Sequence, residues 1–117
     1  MSQVSPENIE AIEAGYEFLL AYAAQGRESD SGPGGSEVRS ILVSMQEATG
    51  NIVETLAATS GGFSAVLVDD ARKSLAALDL VLAQSSISSE LVDNLNASIH
   101  LRALLTDLFL VSEADTL

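Results

Sequence analysis

Apolar residues recur along this chain at spacings of three and four, and polar or glycine-rich stretches interrupt the pattern in three places. The interruptions are Gly26 to Gly35 (GRESDSGPGG), the pair Gly61-Gly62, and the serine cluster from Ser85 to Ser89 around Ile87. Steps of three and four place side chains on one face of a helix, whereas a half-buried strand would alternate. The β-branched residues keep the helical spacing, so no strand is expected. The pattern predicts an all-α chain, a four-helix up-down bundle with helices at about 6–25, 36–59, 63–84 and 89–111.

Local signals support each start. Ser5-Pro6-Glu7 supplies a capping hydroxyl, a proline at the first helical position and an acid in the first turn, with Val4 and Ile9 spaced as a hydrophobic staple. The first helix presents Ile9, Ile12, Tyr16, Leu19, Leu20 and Ala23 on one side, and Gly26 reads as its left-handed terminator. Ser36 reads as the cap of the second, whose stripe is Val38, Ile41, Met45, Ala48, Ile52 and Leu56. Gly50 lies within that helix, where a kink or a close helix contact is expected. The third helix carries Val66, Leu67, Ala71, Leu75, Leu78 and Leu82. The fourth opens at Ser88-Ser89-Glu90, with Ile87 and Val92 as a second staple. The whole chain, 1–117, is expected to form one domain, with a flexible loop at 26–35 and a frayed acidic tail at 112–117.

Composition sharpens this picture. Of the 117 residues, 17 are leucine and 16 alanine, both strong helix formers, so the core is aliphatic. The mean hydropathy is positive at +0.28, although 17 acidic groups oppose only 5 basic ones, for a formal charge of −12. That balance argues against nucleic-acid backbones and anionic lipid, which attract basic patches. No apolar run approaches a membrane span and the N-terminus lacks the features of a signal peptide, so a cytoplasmic location is expected.

Most site chemistry is excluded by residue type. Without cysteine there is no disulfide, thiolate metal site or cysteine nucleophile, and a single histidine removes multi-histidine sites. The di-iron carboxylate pattern needs Glu-x-x-His, but residue 97 is alanine. Gly32-Pro33-Gly34-Gly35 lacks the lysine and preceding strand of a phosphate loop. No catalytic, metal or cofactor-binding residue is expected, and no cofactor.

His100 is the one titratable group with a sharper reading. In an unbroken helix it would lie beside Asn96 on a polar stripe with Asp93 and Asp107. One exposed histidine on a four-helix domain resembles a histidine phosphotransfer domain, and the resemblance implies a phosphorylatable His100. Such domains usually carry a lysine three residues after the histidine and a small residue next. This chain has Ala103 and Leu104 there, with Arg102 two residues on.

Two surface features remain. The stretch from Leu101 to Val111 is apolar nearly all round, which suggests cover by a second copy, with Leu101, Leu104, Leu105, Leu108 and Phe109 as the interface. The acidic side of the first helix, Glu10, Glu13 and Glu17, with Tyr16 or Tyr22 as aromatic anchor, is the candidate face for another protein. The sequence thus predicts a non-enzymatic helical interaction module, a homodimer that binds an unidentified protein. The alternatives are a phosphotransfer-like domain using His100 and an acidic inhibitor or immunity-type binder of a basic partner.

Overall fold

A computed structural model describes residues 4–58 and 61–114. Five helices follow in order: α1 (Pro6–Ala23), α2 (Glu37–Leu56), α3 (Gly62–Leu82), α4 (Ser89–Ala97) and α5 (Ile99–Glu113). No strand occurs among the described residues. α1 packs on α2 and α2 on α3, while α4 leans chiefly on α1 and α5 chiefly on α3. The result is a rod of 44 × 23 × 20 Å.

The all-α expectation holds, but the single fourth helix does not. Ser98 takes an extended conformation (φ −63°, ψ 140°), closing α4 and opening α5. Its hydroxyl accepts the Leu101 N–H at 3.3 Å, so the break is itself a helix cap. The reason lies in the phase of the apolar residues. Leu95 and Leu101 are both buried, yet six residues of continuous helix would turn them about 120° apart. The break at Ser98 resets the phase so that both meet the core. It also leaves Ile99, on the stripe that a straight helix would have buried, 74% exposed.

The predicted caps fare unevenly. Ser5 Oγ accepts from Glu7 N–H at 3.1 Å, and Ser88 Oγ accepts from Leu91 N–H at 3.0 Å. Val4, Ile87 and Val92 are buried, so both staples close over their caps. Ser36, in contrast, is helical and makes no side-chain cap. The turn before α2 is closed by the backbone instead, from Gly35 N–H to Gly32 O and Val38 N–H to Gly35 O.

Two apolar clusters fill the rod. One gathers Ile12, Ile52, Leu56, Leu67, Leu104 and Leu108; the other gathers Leu19, Tyr22, Leu42, Leu78, Val92 and Leu101. Tyr16 packs against both. The close helix contact sits at Gly15 rather than Gly50. A Cβ on Gly15 would fall 2.5 Å from Met45 Sδ, whereas nothing lies within 4 Å of one built on Gly50. α1 and α2 therefore approach by seating the Met45 side chain against bare backbone, which explains their extensive contact.

The segment from Gly26 to Gly35 is tied down at many points. Gly26, with φ 67°, turns the chain out of α1. The Arg27 guanidinium then gathers the loop, donating to the carbonyls of Ser29 (3.1 Å), Ser31 (2.8 Å) and Pro33 (3.2 Å). Asp30 joins the loop to its neighbours, accepting from Ile87 N–H at 2.9 Å and pairing with Arg39 at 2.8 Å. These bonds, the Ile87 amide foremost and the Arg39 guanidinium with it, hold the Asp30 carboxyl below its ordinary value. The Asp30–Ile87 bond spans fifty-seven positions, a contact that the glycine- and serine-rich composition of the loop does not register. Of the expected tail at 112–117, Ser112 and Glu113 belong to α5, and residues 115–117 lie outside the described ones.

Candidate functional site

The first expected interface is largely consumed by the fold. Leu101, Leu104 and Leu108 are fully buried in the chain's own core and Leu105 is 6% exposed. The α4–α5 break provides a physical reason: once re-phased, α5 can turn a wide apolar face onto α3 and the rest of the core. Phe109 alone of the five points outward, at 54% exposure, beside an equally exposed Leu110.

The second expected face divides as well. Tyr22 is buried and cannot anchor a partner. Its hydroxyl donates to Ile87 O at 2.6 Å, and Ser89 Oγ returns a bond to Tyr22 O at 2.7 Å. It pins the α3–α4 connection to the end of α1. Tyr16 is half-buried, while Glu10 and Glu17 are exposed and Glu13 is partly so.

These residues meet along one feature the sequence did not reveal. α1 and α5 lie side by side but touch least of all the helix pairs in contact. The open seam holds two shallow depressions that share Glu13. One, about 330 Å³, runs between Val4, Ile9 and Glu10 of the first helix's start and Val111 of α5. The other, about 280 Å³, is lined by Tyr16, Glu17, Leu20, Leu105 and Phe109. Aromatic and aliphatic carbon thus forms the floor, with carboxylates along the α1 rim. None of the five basic residues lines either depression.

Two acids on α3 are engaged. Asp69 pairs with Lys73 at 3.0 Å and Asp79 accepts from Gln46 at 2.7 Å. Asp107, 6% exposed, is unusual: desolvation raises its pKa to about 7, aided by a hydrogen bond to Asp70 and by the Asp70 charge. One of its oxygens, Oδ2, has no donor within the chain. Asn96 is buried with neither Nδ2 nor Oδ1 bonded. A further depression, about 740 Å³, lies open between the end of α1 and the start of α4 and is lined by Arg27, Glu28, Glu90 and Asp93 among others. Among the described residues no group of three or more ligating side chains could hold a metal ion.

His100 is exposed in the first turn of α5, and its carbonyl accepts the Ser74 hydroxyl at 2.9 Å. The polar stripe expected around it is dispersed by the break at Ser98. Asn96 and Asp107 turn inward while Asp93 and His100 stay outside. No helix among the described residues is long and apolar enough to cross a membrane. No family model, curated protein or solved structure matches the chain.

Proposed function

We propose that the chain is a non-enzymatic helical module that works by binding another protein through the α1–α5 seam. In this reading α4 and α5 together take the fourth position of an up-down bundle. Their division leaves the seam beside α1 unfilled. The observation that carries the proposal is the conjunction of exposed Leu20 (50%) and Phe109 (54%) over one depression, with Glu13 and Glu17 on its rim. Scattered exposed apolar residues are ordinary, but a joined patch with a charged border is the form that interaction sites take. Homodimerisation is the second use of the same patch, since the sequence reading predicts it and Phe109 with Leu110 is what α5 still presents.

A photocrosslinker placed at Phe109, with an identical one at exposed Leu80 on α3 as control, tests the proposal in cells. Adducts formed from position 109 and absent from position 80 support it, and an adduct of twice the chain mass assigns the patch to a second copy. Equal labelling from both positions, or none from 109, overturns it.

A further inference from the structure

The geometry points to a basic amphipathic helix as the segment that occupies the α1–α5 seam, laid alongside α1 as one more rod of the bundle. This deepens the interaction reading above and rests on it. Three observations select the occupant.

The first is shape. The seam follows α1 from near Pro6 to Leu20 and α5 from Leu105 to Ala114, a length of about 20 Å at helical rise. That matches about four turns of a docked helix, whose i, i+3, i+4 and i+7 side chains would enter the two depressions in turn.

The second is charge. Glu10, Glu13 and Glu17 succeed one another along the α1 rim, and no lysine or arginine lies in the seam to neutralise them. Four of the chain's five cations are placed away from the seam, and the fifth, Arg72, is exposed on α3. Arg27 holds its loop, Arg39 pairs with Asp30, Lys73 pairs with Asp69, and Arg102 lines a separate depression with Ile99 and Thr106. A helix with lysine or arginine flanking its apolar stripe would set cations against the rim, whereas an acidic one would be repelled.

The third is what the seam disfavours. A second copy docking by this surface would bring the same acidic rim toward its equivalent, on a chain of net charge −12. The α2 surface is also acidic, through Glu37, Glu47 and Glu54, but its one exposed large apolar residue is Val43 at 38%. The hollow between α1 and α4 also has a carboxylate border, but there Arg27 lines the same hollow.

The test titrates the full chain, labelled with ¹⁵N, with a designed peptide of about 15 residues that carries leucine at helical spacing and lysine on both flanks. A scrambled peptide of identical composition and a second with glutamate flanks serve as controls. Amide shifts confined to about residues 9–20 and 105–112 are expected, with affinity at least tenfold above the scrambled peptide. Raising NaCl from about 50 to about 300 mM, which shortens the screening length from about 14 to about 6 Å, should weaken binding severalfold. Glu13→Lys with Glu17→Lys should weaken it about tenfold or more, because two attractions become repulsions. Both positions are at the surface, and unchanged helical circular dichroism verifies the fold.

Equal binding of the scrambled peptide, a footprint elsewhere, or indifference to the charge reversal overturns the inference. Those outcomes leave the interaction reading standing if Phe109 still crosslinks selectively. Loss of the Phe109 crosslinks removes the interaction reading itself, whatever the peptide does.

Discussion

The Asp70–Asp107 pair yields the most quantitative prediction. Asp107 is buried between α5 and α3, and its pKa rises from 3.8 to about 7, first through desolvation and then through Asp70. A raised folded-state value means that the native protein holds a proton which the unfolded chain releases. The associated stability is fully present below pH about 4 and is lost as pH climbs to about 7. At about 1.4 kcal/mol per unit, the whole shift corresponds to about 4 kcal/mol. Asp107 also lines a surface depression with Arg102 and Thr106, where water screens the pair, so about 2 kcal/mol is the expected loss. Asp107→Asn removes the ionisation while keeping a donor toward Asp70. The variant should exceed the natural chain by only about 0.7 kcal/mol near pH 5 and by about 2 kcal/mol near pH 8, the latter about 8 °C in Tm.

Urea unfolding followed by circular dichroism at both pH values measures this directly, with an unchanged m value securing the comparison. Glu7 and Asp30 titrate with lowered values in both proteins, so their acid-side losses cancel in the difference. Asp93→Asn, at an exposed position, removes the same formal charge and should show no such pH dependence. A stability difference between Asp107→Asn and the natural chain that is equal at pH 5 and pH 8 would refute the reasoning, as would an equal gain from Asp93→Asn.

Three further perturbations probe the packing. Gly15→Leu should destabilise by about 2–3 kcal/mol, since its side chain needs the space Met45 fills; adding Met45→Ala should restore part of that loss in a double-mutant cycle, and strict additivity would contradict the contact. Tyr22→Phe deprives the Ile87 carbonyl of its buried donor and should cost about 1–3 kcal/mol by thermal unfolding, with faster amide exchange at Ser89 than at Leu67. Asn96→Leu replaces two unbonded buried amide atoms by methyl groups in the same branched shape and should be neutral or stabilising by about 1–2 kcal/mol; a loss above 1 kcal/mol here and in the smaller Asn96→Val would show that the amide is satisfied in solution.

Some of this protein follows from short stretches of chain. Helical period, the Ser5 and Ser88 caps with their staples and the Gly26 turn all depend on residues within about four positions of one another, which is why they can be read directly. The acidity of the α1 rim and the absence of any thiol are likewise matters of residue type and spacing. Even the Ser98 break left a trace, because the six-residue step from Leu95 to Leu101 cannot belong to one straight helical stripe.

The remainder depends on which distant elements meet. Whether Leu104 faces a partner or the interior is decided by α3 lying across it, and Tyr22 is withdrawn from the surface by Ile87, sixty-five positions away. Asp107 becomes a weaker acid because packing against α3 desolvates its carboxyl and brings Asp70 beside it. The loop after α1 is held through Asp30 by an amide from the α3–α4 connection. The seam exists because α4 takes most of α1's free side and α5 takes that of α3, a division of space that no local spacing encodes. Periodicity specifies the face a helix must bury, and only the assembled helices determine which part of that face is left open.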